Sequence, residues 1–158
     1  MVAIVPGRMT AQMDKPFVVF LMGMRVNKLS AIGQWWPVTM AMPPMLRELY
    51  AHKELGFLGG EMWFGRTTIA MQYWESYEKL EAYARLKDRA HLPAWAEFNR
   101  KVAKTGAVGV WHETYVVEPG RYENIYSNMP RFGLGAVGQL VEASGKRERA
   151  GERLRGGV

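Results

Sequence analysis

The sequence contains no cysteine, and this absence excludes several kinds of chemistry at once. Disulfides, thiolate metal sites and a cysteine nucleophile all need a sulfur atom that this chain does not have. No apolar run approaches the ~20 residues that cross a bilayer, because the nearest candidate, residues 17–24, stops at Arg25. The first residues also lack the basic start and sustained apolar block of a signal peptide. We therefore expect a cytoplasmic protein that does not enter a membrane.

Motifs for common cofactors are missing as well. The chain has no glycine-rich dinucleotide-binding or phosphate-binding loop, and it has no nucleophile elbow. Its only histidines are His52, His91 and His112, and none shows the histidine–carboxylate spacing of a metal site. These absences predict that the protein contains no metal and requires no cofactor.

The net charge of +6 raises the question of a nucleic-acid partner. Half of this excess comes from the final segment, residues 145–158, which carries five basic and two acidic side chains. A solvated tail explains this composition better than a phosphate-binding arm, so we predict no nucleic-acid partner. Residues 139–158 are expected to form a disordered basic tail.

Hydrophobic periodicity divides the rest of the chain into strands and helices. After an extended leader at 1–14, residues 15–25 form a predicted strand with apolar residues on both faces. A helix follows at 35–53, with a break at Pro43 and Pro44 because proline lacks an amide donor. Two further strands are predicted, at 57–64 with paired glycines and at 67–74.

The rest of the chain predicts a helix in two pieces, a last strand and an arm. Ser76 predicts the start of a helix that runs to about Leu86. Pro93 starts a second helical piece, in which Phe98 and Val102 share an apolar face. The last predicted strand occupies 107–117, and the apolar residues of 119–138 indicate an ordered arm.

This order of elements is that of the ferredoxin-like βαββαβ fold with a split second helix. It predicts an α+β domain at 15–118 with a four-stranded antiparallel sheet and helices on one face. Because the strands are apolar on both sides, the second face must also be covered. We expect a second copy of the sheet to cover it, which would give a symmetric homodimer.

Residues 73–95, YWESYEKLEAYARLKDRAHLPAW, resemble the antibiotic-biosynthesis monooxygenases and haem-degrading oxygenases of the dimeric α/β-barrel superfamily. The shared pattern is a tryptophan at a strand end, a helix cap and a later histidine, here Trp74, Ser76 and His91. The segments FLMGMRVNK, GFLGGEMWFGRTT, GVWHETYVV and YSNMPRFGLG resemble one branch, the family named for a fumagillin-pathway monooxygenase. The resemblance implies a ferredoxin-like dimer and oxidative chemistry on an organic substrate.

Candidate site residues follow from this resemblance and from position. His91 falls where haem-degrading relatives place an iron ligand; the alternative is a histidine that caps a helix. His112, in the middle of a strand, could be a general base facing a cavity, or a core histidine. Arg25, Asn27 and Arg131 could hold an anionic or carbonyl group, or form salt bridges at the surface or in the dimer.

Six tryptophans and eleven methionines suggest a roomy apolar cavity, although core packing explains most of them. We assign Trp74 and Trp95 to substrate contact. The favoured function is a monooxygenase-like enzyme that oxidises a bulky apolar substrate of aromatic, polyketide-like or terpenoid type. The alternatives are a haem-binding oxygenase or dehydratase-like lyase with His91 as iron ligand, and a non-catalytic dimeric small-molecule binder.

Overall fold

The computed structural model describes residues 2–86, 96, 98, 100 and 102–155. Its strands are β1 (Ile4–Gln12), β2 (Phe17–Val26), β3 (Phe57–Trp63), β4 (Ile69–Trp74), β5 (Val108–Val117), β6 (Tyr126–Pro130) and β7 (Gln139–Glu142). Its helices are α1 (Ile32–Ala51), α2 (Tyr77–Arg85), α3 (Leu134–Val137) and α4 (Ala150–Leu154), with 3-10 turns at Lys53–Leu55, Ala103–Thr105 and Gly145–Arg147. Ala96, Phe98 and Arg100 are also helical. Within these residues, no helix is long and apolar enough to cross a membrane.

The larger sheet confirms the predicted ferredoxin-like order. Its strands are arranged β3-β4-β2-β5, and all neighbours are antiparallel. The pairing between β3 and β4 shifts register between Phe57 and Gly59, as the paired glycines predict. Gly59 has a φ of +155°, and a Cβ there would lie 2.7 Å from Val137 of α3. Glycine therefore allows both the irregular backbone and the close approach of another element.

The helices cover one face of this sheet. On that face, Trp74 and Val18 pack against Leu49 of α1 and against Leu80 and Tyr83 of α2. Phe98 and Val102 pack further along the sheet, against Met24, Val26 and Val108. The start of α2 is as predicted, because the Ser76 side chain accepts a hydrogen bond from the Lys79 backbone N–H at 3.3 Å.

The predicted break in the first helix is wrong. Helix α1 continues through Pro43 and Pro44 and ends at Ala51. Each internal proline removes a backbone donor and costs about 3 kcal/mol relative to alanine. The helix buries Met45 and Leu49, which is only 2% exposed, so packing on the sheet outweighs this local cost.

The structure also differs from the expected leader and tail. Residues 4–12 form β1, which lies between β6 and β7 in a second antiparallel sheet. Met9 pairs with Tyr126, and Ala11 pairs with Leu140. The strand therefore gains its hydrogen bonds from residues more than 110 positions away, which local periodicity does not show. These partners are β6 in the predicted arm and β7 in the predicted tail, so pairing with β1 also orders those two segments.

This smaller sheet covers part of the second face of the larger one. Ala11, Phe17, Tyr73 and Leu134 form a buried cluster between them, with Tyr126 packed against it. The chain thus supplies a cover that the sequence assigned to a second copy. Elsewhere on the same face, Ile69 and Tyr115 remain 39% and 49% exposed. The homodimer stays a prediction for that uncovered part.

A buried arginine holds the C-terminal segment in place. Arg153 is 8% exposed, and its Nε donates to Glu123 Oε1 at 2.8 Å. Its Nη1 donates to the carbonyl oxygens of Arg147 and Glu148 at 2.9 and 2.7 Å. The ion pair and these hydrogen bonds offset the free-energy cost of removing the guanidinium from water.

We predict that Arg153→Gln releases this segment. The change leaves Glu123 and two carbonyl groups without their donor, and should lower the free energy of unfolding by about 1–3 kcal/mol. Denaturant unfolding measures the loss, and hydrogen exchange should increase across 139–155. Arg155→Gln is the matched control, because Arg155 is exposed. Equal effects of the two variants would contradict the anchoring role of Arg153.

A second prediction concerns alkaline pH. Burial, with a smaller contribution from Tyr126, raises the pKa of Tyr73 from its ordinary value of 10.0 to about 12. Folding therefore favours the neutral phenol, and this contribution is complete below pH 10 and is lost as the pH rises towards 12. Over that interval, wild type should lose about 2 kcal/mol more stability than Tyr73→Phe.

Denaturant unfolding at several pH values measures this difference. Tyr50→Phe is the control, because Tyr50 is 57% exposed, and it should follow the wild-type pH dependence. Parallel stability curves for wild type and Tyr73→Phe would show that the phenol of Tyr73 is not protected by the fold.

Candidate functional site

A cavity of about 610 Å³ lies between the helix-covered face of the larger sheet and helices α1 and α2. Its wall is mainly apolar and includes Phe20, Met22, Met24, Met42, Met45, Met62, Phe64 and Trp74. Polar side chains also line it, among them Gln34, Thr39, Thr68, Gln72, Glu81, His112 and Thr114. Thioethers and aromatic rings adapt to large apolar ligands, and a few polar groups can fix their orientation.

His112 is the described histidine on this wall. It lies on β5 opposite Met22 of β2, and its ring is 5.8 Å from the ring of Phe20 at an angle of 46°. The side chain is exposed, and no described residue forms a hydrogen bond with it. A neutral imidazole in this position can accept a proton from a molecule in the cavity.

Trp74 forms the floor of the cavity and is completely buried. Its ring makes edge contact with Phe57 and tilted contact with Tyr83, both at 5.6 Å between ring centres. The indole Nε1 donates to Gln72 Oε1 at 3.0 Å. Trp74 exposes no surface to the cavity, so its predicted contact with substrate stays a prediction.

Sequence reasoning missed Gln72. It is 4% exposed and lies on β4 between Ala70 and Trp74, which face the same side of the sheet. Buried amides are uncommon, because an unpaired polar group in an apolar site costs free energy. One signal in the sequence could have found it: in a strand predicted to be buried, Gln72 is the one amide on a face whose neighbouring residues, Ala70 and Trp74, are apolar.

The structure does not bring the other described candidates to the cavity. Arg25 Nη1 donates to Thr67 Oγ1 at 2.7 Å, and Asn27 Nδ2 donates to the carbonyl of Gly106 at 3.1 Å. Arg131 is exposed, and its Nη1 is 3.5 Å from the carbonyl of Gly135. None of the three lines the cavity. Their assignment to substrate binding stays a prediction, and these local bonds give each a structural role.

Two candidates, His91 and Trp95, lie outside the described residues, together with the predicted break before Pro93. A haem site with His91 as iron ligand therefore stays a prediction. Of the described histidines, only His112 faces the cavity, since His52 pairs with Glu54 at 2.8 Å beyond the end of α1. No group of three or more potential metal ligands comes together among the described residues.

The fold and cavity define the class: a ferredoxin-like α+β domain with an apolar site between its sheet and its helices. A model of the monooxygenase af470-like family matches residues 17–134, and the chain belongs to this family. The resemblance found in the sequence is thereby confirmed. A curated relative, monooxygenase af470 of Aspergillus fumigatus, is 27% identical over 129 residues. The match covers 75% of this chain and 45% of the relative, so the chain spans less than half of that protein's length.

Several solved structures are similar at lower identity. SnoaB, a cofactor-independent oxygenase from Streptomyces nogalater, is 11% identical with a TM-score of 0.42, over 65% of this chain and 93% of that one. MhuD, a heme-degrader from Mycobacterium tuberculosis with two hemes in its active site, is 22% identical with a TM-score of 0.35, over 63% and 94%. A dimeric ferredoxin-like protein from an uncultured marine organism is 15% identical with a TM-score of 0.40, over 66% and 96%.

We predict that filling the cavity weakens binding of an apolar ligand. Ala70 lines it and is 2% exposed, so Ala70→Leu adds volume directly to the wall. Titration with Nile red, followed by fluorescence, should give a dissociation constant about tenfold higher than that of wild type. Ala136→Leu adds the same atoms at an exposed position of α3, outside the cavity lining, and should leave the constant unchanged. An unchanged constant in Ala70→Leu would place the dye elsewhere.

Proposed function

We propose that the protein is a monooxygenase-like enzyme that oxidises a bulky apolar organic substrate inside this cavity. The observation that carries the proposal is an apolar cavity with His112 on its wall, in a chain of a monooxygenase-like family. A volume of about 610 Å³ lies within the usual range of small-molecule sites. The apolar wall favours an aromatic, polyketide-like or terpenoid substrate over a highly charged one.

The proposed reaction uses the substrate as the source of electrons. His112 accepts a proton from an acidic C–H or O–H group of the substrate, which leaves a carbanion or phenolate. This anion reduces molecular oxygen and becomes bonded to it. For a methylene group, one oxygen atom then remains as a carbonyl, and the other leaves as water with the two hydrogens. The balance needs no other reductant, so no cofactor is required.

A bulky apolar substrate would displace water from the apolar part of this wall when it binds. Around Phe20, Met22 and Trp74, few polar groups compete for the proton that His112 removes. Exclusion of water also protects a reactive anion or peroxide from side reactions. The protein then contributes binding, orientation and one proton acceptor, and the substrate supplies the redox chemistry.

We also propose that the protein forms a homodimer. The support is the uncovered part of the sheet's second face, where Ile69 of β4 and Tyr115 of the edge strand β5 remain exposed. A second copy would bury these side chains and protect the free edge of β5.

The second candidate function is a haem-dependent oxygenase or lyase. The observation that favours it is the tryptophan, cap and histidine pattern, of which Trp74 and the Ser76 cap are present as expected. His91 would hold the iron, and the haem would supply activation of oxygen or of the substrate. An absorption spectrum after addition of hemin separates the two functions, because a shifted Soret band requires bound haem.

The main test is oxygen consumption with anthrone, a tricyclic ketone whose methylene group is acidic. Removing the base in His112→Gln should lower kcat/KM about a hundredfold or more. His52→Gln is the matched control, because His52 pairs with Glu54 outside the cavity, and its rate should equal that of wild type. With ¹⁸O₂, the product should carry one labelled oxygen atom.

Two outcomes would contradict the proposal. Equal rates for His112→Gln and wild type would exclude His112 as the base. Tight binding of anthrone without oxygen uptake, by a protein whose spectrum shows no haem, would favour a non-catalytic small-molecule binder.

A further inference from the structure

The side-chain amide of Gln72 is an unusual polar group in the cavity wall. It is 4% exposed, on a strand whose neighbouring cavity-facing residues, Ala70 and Trp74, are 2% and 0% exposed. Placing an amide there without full hydrogen bonding costs free energy. The position therefore calls for a partner for each polar atom of the side chain.

One atom of the amide has a good partner. The Trp74 indole donates to Gln72 Oε1 at 3.0 Å, which fixes the oxygen on the Trp74 side. Because indole is a donor only, the amide cannot rotate by half a turn without placing two donors against each other. The Nε2 group, with its two hydrogens, is consequently held on the other side of the amide plane.

The nitrogen has no comparable partner. Among the described residues, its only hydrogen-bond contact is the thioether sulfur of Met22 at 3.9 Å, and sulfur is a weak acceptor. Trp74 needs only one acceptor, which a smaller or purely accepting side chain could provide. Glutamine instead adds two donors in an apolar cavity, and these can satisfy an oxygen atom of a bound molecule.

We propose that Gln72 is a substrate-binding residue whose Nε2 donates a hydrogen bond to a carbonyl or phenolate oxygen of the substrate. This inference deepens the proposed function and rests on it. It narrows the substrate from a bulky apolar molecule to one that carries an oxygen acceptor within its apolar frame. A pure hydrocarbon would leave the donor unsatisfied and would be discriminated against.

The sheet register places this donor relative to the proposed base. Gln72 pairs with Phe20 of β2, whereas His112 of β5 pairs with the nearby Met22 of the same strand. The two functional strands are therefore separated by β2, which puts their backbones roughly 10 Å apart. A flat fused-ring substrate lying over Phe20 and Met22 could meet Gln72 with its oxygen and His112 with its acidic hydrogen. The substrate class that fits is a polycyclic ketone or phenol.

The test uses two probes that differ in one oxygen atom. 9-Fluorenone and fluorene are tricyclic molecules of similar shape, and only fluorenone has a carbonyl acceptor. Wild type should bind fluorenone about threefold to tenfold more tightly than fluorene, the range of one net hydrogen bond. The carbonyl stretching band of bound fluorenone should also lie at lower frequency than in an apolar solvent.

Substitutions at Gln72 should remove both signals. Gln72→Leu has no donor, so the preference for fluorenone should disappear and the carbonyl band should return to its apolar position. Because this change leaves the buried Trp74 N–H without an acceptor, Gln72→Met serves as a second variant. Methionine keeps a weak acceptor for the indole and supplies no donor. Gln139→Leu, on an exposed position of β7, is the matched control and should retain the wild-type preference.

Several outcomes would contradict the proposed hydrogen bond from Gln72 to the substrate. A wild-type protein that binds both probes equally, or neither, overturns the role of Gln72. The same follows if folded Gln72→Met, checked by circular dichroism, keeps the preference and the shifted band. Neither readout depends on turnover. Failure of the oxygenase proposal would therefore appear as absent oxygen uptake with the fluorenone preference intact, whereas failure of this inference would appear as absent preference.

Discussion

The whole structure depends on one constraint: the larger sheet is apolar on both faces and must be covered twice. Adjacent residues of β4 show this directly. Trp74 is buried under the helices, and Tyr73 is buried on the opposite face under the smaller sheet. Since neighbouring side chains of a strand point to opposite faces, both covers are needed for β4 to fold. The helices supply one cover, and strands β1, β6 and β7 with α3 supply part of the other.

This double cover also explains where a site can form. The smaller sheet packs directly on the second face, around Phe17 and Tyr73. On the first face, the helices leave a cavity above Phe20 and Met22. Because β2 and β4 also pack against the smaller sheet on their second face, the backbone that carries their cavity-facing side chains is held in place. A site built on supported strands keeps its geometry better than one built on loops.

The sequence predicted those parts of the fold that depend on local chemistry. Ser76 caps a helix through its own hydroxyl, and the order of strands and helices follows from periodicity, so both predictions are confirmed. It did not predict β1, because Pro6 and Gly7 interrupt the local pattern and the partners of β1 are far along the chain. It treated Arg153 as part of a solvated tail, because its partner, Glu123, is 30 positions away.

The candidate site shows the same division. His112 could be proposed because the strand pattern fixes its face, and Trp74 could be proposed because of the family resemblance; both line the cavity. Arg25 and Asn27 were chosen because charged and amide groups at strand ends often bind ligands, but each is held by a nearby hydrogen bond. Polar residues at strand ends are common and have many local partners. An amide between two buried apolar residues has few such partners, so its weakly bonded N–H donors constrain the ligand more strongly. Gln72 interrupts the apolar pattern of its strand face. For this reason it says more about the substrate than Arg25 and Asn27 do.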